Sequence, residues 1–224
     1  MIAVTVSTNY SDILPFILEA NRKYFTNWIF VTDRNDHTTI GILSKEPTVT
    51  ILYWDFQNSG KRFDKGGALA YAQGYAYETF PNDWYLIVDS DICLSEEFAT
   101  INVNELNPEL LYGCHNRWDF LDINDYRNNI NFTEYRRHNF PIGFFQLYKQ
   151  KHYYRSFDTA GNCDDEFVNR CFPQKYGMFD QFVCRHLGKD ATNWAGRVVG
   201  SDFFTDQSPQ VARKLNKLKK SKNR

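Results

Sequence analysis

The feature that most constrains the fold is the alternation of strand-like and helix-like segments in the first half of the chain. Apolar and β-branched runs predict strands over residues 2–7, 28–32, 48–53 and 84–88. Helical spacing of apolar residues predicts a helix after the cap-type residues Ser11 and Asp12, and another over Lys65–Thr79. Strands that alternate with helices build βαβ units, so we predict an α/β fold: a mostly parallel mixed sheet with helices on both faces.

The second half is less regular. Strands are predicted over 110–114, 143–148 and 179–185, and a short helix over 164–171. Residues 116–139 are polar and aromatic without periodicity, which predicts a long functional or mobile loop. Ligands of open α/β sheets bind beyond the carboxyl ends of strands, so a site is expected near Thr8, Asn9, Asp33 and 89–91.

Two aspartates, Asp89 and Asp91, follow the most apolar strand. Residues two apart in an extended chain point to one side, so both carboxylates can converge on one cation. Hard oxygen ligands suit Mg²⁺ or Mn²⁺ bridging diphosphate oxygens. The alternative is a pair of solvated loop acids, but unpaired carboxylates beside a buried strand are costly to desolvate. We therefore expect a divalent metal here.

Lys65, Gly66 and Gly67 stand at the entry of the predicted helix. Glycines there let backbone amides approach an anion, and the helix dipole favours phosphate. The spacing is not that of a Walker A loop, and the sequence has no GxGxxG motif. By itself the segment would be a loop; with the acid pair downstream, we interpret it as scaffolding for a nucleotide.

Three adjacent acids, Asp164, Asp165 and Glu166, open the helix of the second half. Acids in a first turn complement the helix dipole, and that role alone accounts for them. The functional alternative makes one of them a general base that takes a proton from an acceptor hydroxyl.

Two further residues have two interpretations each. His186 is either a packed histidine or a metal ligand, and Arg197 pairs either with phosphate or with a protein acid.

Charge is uneven along the chain. Residues 212–224 carry seven Lys or Arg and no acid. Because the net charge of the whole chain is −1, the first 211 residues carry a net charge of −8. A body this acidic disfavours nucleic acid as a partner. We predict one domain over 1–211 and a disordered basic tail over 212–224, with weak contact to an anionic membrane surface as the tail's alternative role.

Five cysteines without a CxxC pair predict buried free thiols in a reducing compartment. The N-terminus does not have the pattern of a signal peptide, and no apolar run is long enough to span a membrane. We therefore expect a cytoplasmic protein, peripheral at a membrane if the basic tail binds one.

In order and spacing, seven segments resemble the GT-A glycosyltransferases, particularly the family 2-like group. The matching pieces are residues 6–9, 31–33, 64–69, 88–91, 143–147, 161–167 and 186–188. The resemblance implies a GT-A fold and a hexosyltransferase-type enzyme. It also implies a nucleotide-sugar donor, commonly a UDP-sugar, a glycan-like acceptor, and Mn²⁺ or Mg²⁺ as cofactor.

The resemblance also implies roles for single residues. The donor side comprises Thr8, Asn9, Asp33, Lys65, Gly66, Asp89, Ser90 and Arg197. Asp91 and His186 would ligate the metal, while Asp89 would contact the metal or the ribose.

The catalytic base would be Asp164 or Asp165. Cys163 stands where many relatives carry Glu, so both stay open, with Asp164 favoured by the register of the motif. An aspartate base implies that transfer inverts the anomeric carbon. The acceptor is expected to contact three residues: Trp118, Asp119 and Trp194.

Two other classes share part of this pattern. A sugar-1-phosphate nucleotidyltransferase has the same kind of fold and an acidic metal site. It needs a Gly-rich loop after the first strand, however, and the first glycine of this chain is Gly41. A non-catalytic nucleotide-sugar or carbohydrate-binding relative would keep the binding residues without turnover.

Overall fold

The computed structural model describes residues 1–57, 60–136, 140–188 and 196–197. The predicted acceptor residue Trp194 and the predicted basic tail 212–224 lie outside the described residues. Within the described part, no helix is long and apolar enough to cross a membrane.

The secondary structure alternates as predicted in the first half. The strands are β1 (Ile2–Val6), β2 (Asn27–Thr32), β3 (Val49–Tyr53), β4 (Tyr85–Val88), β5 (Ile92–Leu94), β6 (Leu111–Phe120), β7 (Thr133–Arg136), β8 (Phe145–Tyr148) and β9 (Tyr176–Leu187). The α-helices are α1 (Leu14–Asn21), α2 (His37–Leu43), α3 (Lys65–Thr79), α4 (Ile123–Asn128) and α5 (Cys163–Cys171). Short 3-10 helices cover Arg22–Tyr24, Glu96–Thr100, Val103–Glu105 and Ala160–Asn162.

The described strands form one mixed sheet in the order β3-β2-β1-β4-β8-β6-β9-β5, with β7 on β6. Strands β3, β2, β1 and β4 are parallel neighbours, and so are β6 and β9. Strand β8 runs antiparallel to β4, and β5 runs antiparallel to β9. The parallel block places the carboxyl ends of β1 to β4 at one edge of the sheet, where a ligand can approach.

Two apolar clusters cover the two faces of the sheet. Ala3 of β1 packs in the cluster that contains Leu14 of α1, whereas Val4 packs in the cluster that contains Leu69 of α3 and Phe167 of α5. All five residues of β1 are buried, and four of them are apolar, as expected for a strand covered on both faces. The predicted α/β fold, a mixed and mostly parallel sheet with helices on both faces, is confirmed.

Helix α3 has the bounds that the sequence predicts. It begins after Asp64, whose carboxylate accepts the N–H of Gly67 at 3.0 Å as an N-cap. Ala68, Ala72 and Ala76 are buried, since small side chains bring the helix close to the sheet. The start of α3 is therefore fixed at the carboxyl edge.

The prediction of a loop over 116–139 is wrong. Strand β6 continues to Phe120, and α4 and β7 follow. Hydropathy does not predict this part of β6, because it contains polar residues. They are buried because they pair with each other: Arg117 Nε lies 2.8 Å from Asp119 Oδ1. Strand β9 is likewise longer than predicted, since it pairs with both β6 and β5.

Neither Ser11 nor Asp12 caps α1. The N-cap position is Ile13, which makes no side-chain cap bond, and the Asp12 carboxylate is instead paired with Arg197. The free thiols are confirmed: Cys93, Cys114, Cys163 and Cys184 are buried, and Cys171 is partly buried.

Candidate active site

The turn between β4 and β5 carries Asp89, Ser90 and Asp91. The N–H of Asp89 donates to the carbonyl of Phe144 at 3.2 Å, and the N–H of Leu187 donates to the carbonyl of Asp91 at 2.8 Å. These bonds hold the turn between the ends of β8 and β9. The Asp89 carboxylate is paired with Lys65 of α3, and the Asp91 carboxylate lies beside His186 of β9.

His186 lies beside Asp91 because β9 pairs with β5. Its Nε2 is 3.5 Å from Asp91 Oδ2, and its Nδ1 is 3.1 Å from Asp119 Oδ1. Burial lowers the pKa of His186, but Asp91 and Asp119 raise it by more, to about 9. Burial raises the pKa of Asp91, but the charges of His186, Arg117 and Lys65 together lower it by more, so the net change is a decrease. The pair is thus an imidazolium beside a carboxylate, and a cation that binds here replaces the ring proton.

Lys65, the first residue of α3, reaches between two carboxylates. Its Nζ lies 2.7 Å from Asp89 Oδ1 and 3.0 Å from Asp164 Oδ2. Burial lowers the pKa of Lys65, but Asp164 and Asp89 raise it well above its usual range. Burial raises the pKa of Asp89 to about 6, although Lys65 opposes this shift. Lys65 therefore links the acidic turn after β4 to the acidic start of α5.

Of the acids that open α5, Asp164 lies in the site. Its side chain is 14% exposed, and the hydroxyl of Tyr154 donates to its Oδ1 at 3.1 Å. A Cβ at Gly143 would lie 2.0 Å from Asp164 Oδ2, so a glycine there leaves room for this carboxylate. Asp165 is exposed on the same helix. The structure therefore brings Asp164, and not Asp165, to Lys65.

The two glycines after Lys65, predicted to be scaffolding for a nucleotide, pack closely against other parts of the chain. The N–H of Gly67 is already taken by the cap residue Asp64, and a Cβ on Gly66 would lie 1.9 Å from the carbonyl oxygen of Arg155. Both glycines allow close packing around the start of α3. The assignment of Gly66 to donor binding stays a prediction.

A cavity of about 560 Å³ opens at the carboxyl ends of β1, β2 and β3. Its wall includes three residues predicted for the nucleoside, Thr8, Asn9 and Asp33, together with Trp54. Asn9 has a left-handed backbone, with φ of 62°, a conformation that asparagine adopts more readily than most residues. The volume lies within the range of small-molecule sites.

Tyr10, which sequence reasoning missed, connects this cavity to the acidic turn. It is buried, and the centre of its ring lies 4.7 Å from the Arg197 guanidinium. Burial, and then the Asp91 carboxylate, raise the pKa of Tyr10 well above its usual value, so its hydroxyl stays protonated. One feature of the sequence could have indicated Tyr10 as a site residue: it directly follows Thr8 and Asn9, at the end of a parallel strand.

Arg197 lies in the wall of the cavity, with its guanidinium 4.7 Å from the centre of the Tyr10 ring. Its two terminal nitrogens donate to the two oxygens of Asp12, at 2.7 Å and 2.9 Å. Of the two interpretations of Arg197, the structure shows the pairing with a protein acid.

Two of the three predicted acceptor residues are described. Trp118 stacks on Phe132 with ring centroids 4.2 Å apart, and it lines a cavity of about 140 Å³ together with Glu134. Asp119 is buried against His186 in the acidic site.

Charge and donor atoms both suit a divalent cation between Asp91 and His186. The cluster holds four carboxylates and two fixed cations: Asp89, Asp91, Asp119 and Asp164, with Lys65 and Arg117. Two ligand atoms that are each about 2.1 Å from one ion lie about 3.0 to 3.5 Å apart, depending on the angle. The described residues offer no group of three or more His, Cys, Asp or Glu side chains that could hold a metal. An ion here therefore needs further ligands from a substrate or water.

Neither a family model nor a curated protein matches the chain. Similar solved structures include the galactosyltransferase LgtC in complex with donor and acceptor sugar analogs, at 10% identity and a TM-score of 0.47, over 80% of this chain and 73% of that chain. Another is HddC from Yersinia pseudotuberculosis, at 10% identity and a TM-score of 0.45, over 81% of this chain and 89% of that chain.

A third similar structure, from Bacillus anthracis in complex with a sucrose, is assigned as a glucose-1-phosphate thymidylyltransferase. It is 12% identical, with a TM-score of 0.40, over 80% of this chain and 87% of that chain. Because all three TM-scores lie below 0.5, these likenesses assign no function to the chain, and membership of the family 2-like group stays a prediction.

Proposed function

We propose that this chain is a metal-dependent glycosyltransferase of the GT-A type. It moves a sugar from a nucleotide-sugar, with UDP-sugars as the first candidates, to a hydroxyl of a glycan-like acceptor. The observation that carries the proposal is the grouping of Asp91 with His186 next to the two carboxylates that Lys65 joins. This cluster combines a place for a cation with a carboxylate that can accept a proton.

The donor would lie across the carboxyl edge of the sheet. Its nucleoside would occupy the cavity lined by Thr8, Asn9 and Trp54, and its diphosphate would reach the turn that carries Asp91. Mn²⁺ or Mg²⁺ would be held by Asp91, His186 and diphosphate oxygens. When bound, the metal would neutralise the negative charge that grows on the leaving diphosphate.

Asp164 is the proposed general base. A carboxylate has about four lone-pair sites, and Lys65 and Tyr154 use two of those on Asp164, so others remain for an acceptor hydroxyl. Asp164 takes the hydroxyl proton as the acceptor oxygen bonds to the anomeric carbon and the bond to the diphosphate breaks. Attack opposite the leaving group inverts the anomeric carbon.

A donor screen with Mn²⁺ and Mg²⁺ tests the proposal by measuring nucleoside diphosphate released from a panel of nucleotide-sugars. Asp91→Asn is expected to abolish metal-dependent donor binding in calorimetry. Asp180→Asn, a change at an acid of β9 whose side chain is 80% exposed, serves as the control and is expected to bind normally.

Other results of the screen assign other functions. Pyrophosphate released from a nucleoside triphosphate and a sugar 1-phosphate would identify a nucleotidyltransferase. Donor binding without turnover would identify a binding protein. Unchanged affinity in Asp91→Asn would refute the metal assignment.

A further inference from the structure

Asp119 and His186 face each other on the neighbouring parallel strands β6 and β9. Asp119 Oδ1 lies 3.1 Å from His186 Nδ1. An ionised carboxylate can only accept a hydrogen bond, so Nδ1 carries the hydrogen and donates it. This bond fixes the rotation of the ring and leaves its other nitrogen, Nε2, facing Asp91.

Asp119 is itself held in place by Arg117, two residues earlier on β6. Arg117 Nε lies 2.8 Å from Asp119 Oδ1, and an Nη of Arg117 donates to Oδ2 at 3.1 Å. Arg117 is 5% exposed and Asp119 is 8% exposed. Burying a charged pair costs desolvation free energy, which the attraction within the pair need not repay. Stability alone therefore does not explain why this pair is buried. A rigid support for the imidazole is another explanation.

On the other side of the ring, the contact with Asp91 is longer than an ordinary hydrogen bond. The 3.5 Å between His186 Nε2 and Asp91 Oδ2 exceeds the usual N–H···O distance of about 2.7 to 3.2 Å. The same distance is within about 0.5 Å of the separation of two adjacent ligands of an octahedral cation, roughly 3.0 Å when each is about 2.1 Å from it. Metal-binding histidines commonly donate their second ring N–H to a carboxylate, which orients the ring and raises its basicity.

We propose that Asp119 is a positioning residue for metal binding: by accepting Nδ1–H, it directs His186 Nε2 to the cation that Asp91 shares. This inference rests on the metal site of the proposed function. It replaces the acceptor-binding role predicted for Asp119 from the sequence.

The test measures Mn²⁺ binding to the full chain without donor, by electron paramagnetic resonance. Asp119→Leu is expected to weaken binding about 10- to 100-fold, the range typical for a lost carboxylate partner of a metal-bound histidine. Asp119→Asn is expected to weaken it less, because its amide oxygen still accepts from Nδ1–H. Asp12→Asn, which alters another carboxylate paired with a buried arginine but without contact to His186, is the matched control.

Nitrogen modulation of the Mn²⁺ echo signal separates positioning from a general structural role. The imidazole nitrogen is expected in the wild-type echo spectrum, and its loss in Asp119→Leu, with near-ultraviolet circular dichroism unchanged, supports the inference. Wild-type Mn²⁺ affinity in Asp119→Leu, while His186→Gln weakens binding, would overturn it and leave the metal site standing. Equal weakening in Asp119→Leu and Asp12→Asn would also overturn it. Unchanged affinity in both His186→Gln and Asp91→Asn would remove the metal site, and the proposed function with it.

Discussion

The ammonium nitrogen of Lys65 lies 3.0 Å from the carboxylate of Asp164, so the first residue of α3 is bonded to the first turn of α5. The same nitrogen bonds Asp89 at 2.7 Å. One lysine thus connects the proposed general base to the turn proposed to bind the donor. The link is therefore one of the contacts that hold Asp164 in place, together with the bond from Tyr154.

Replacing Lys65 by Met is expected to destabilise the protein by about 3 kcal/mol, because breaking a buried ion pair leaves a carboxylate without its counter-charge. Most of this loss should come from Asp164, whose side chain is 14% exposed, rather than from Asp89, at 33%. Urea unfolding followed by circular dichroism gives the change in the free energy of unfolding.

Lys23→Met is the control for that experiment. Lys23 pairs with Glu96 on the surface, where the side chains are 52% and 90% exposed, so the expected change is below about 1 kcal/mol. Similar losses in the two variants would contradict a buried, structural role for Lys65.

Asp164→Asn is expected to keep donor binding but to lower turnover by about 100-fold or more, the usual contribution of a positioned general base. Asp165→Asn is the matched control on the same helix and is expected to stay near wild-type turnover, because Asp165 is exposed. Steady-state rates and calorimetric donor affinity measure the two effects separately. Wild-type turnover in Asp164→Asn would exclude Asp164 as the base.

The first half of the fold was predictable because its burial follows hydropathy. Strand β4 is a continuous apolar run, and the buried residues of α3 include Leu69 and three alanines, so both elements can be recognised from the sequence. Strand β6 was missed beyond Cys114, because Arg117 and Asp119 are buried as a pair. Hydropathy counts such residues as exposed, and only their contacts explain their burial.

The site was predictable as a set of residues but not as an arrangement. Asp91 and His186 were predicted together and lie together, since β5 and β9 pair. The orientation of Asp89 toward Lys65 could not be foreseen, because it depends on side-chain partners distant in sequence. The packing of Gly66 could not be foreseen for the same reason: its neighbour is the backbone of Arg155, 89 positions later along the chain.

Trp54 gives a direct test of the proposed nucleotide cavity, because it lines the cavity and packs on Tyr71 with ring centroids 5.6 Å apart. Saturating UDP with Mn²⁺ is expected to quench tryptophan fluorescence, and Trp54→Phe should remove most of that change. Trp84→Phe, a change at a buried tryptophan of the core, should leave the change intact. Equal quenching in wild type and Trp54→Phe would place the nucleotide elsewhere.

Gly143→Ala tests whether the position of Asp164 matters, with no change to any charge. The new methyl group would lie 2.0 Å from Asp164 Oδ2 and 2.6 Å from its Cβ, so the carboxylate must move. We expect turnover to fall by about 100-fold, since misplacing a catalytic group by about 1 Å has an effect of that size. Overpacking should cost about 1 to 3 kcal/mol of stability.

The control for this variant is Gly74→Ala, in the middle of α3, where a Cβ meets nothing within 4 Å. It is expected to stabilise the protein by about 0.5 to 1 kcal/mol, since alanine loses less conformational freedom than glycine in a helix. Turnover and the urea midpoint are measured on both variants. If Gly143→Ala keeps wild-type turnover, the placement of Asp164 against this backbone is not required for the reaction, and the assignment of Asp164 as base loses its geometric support.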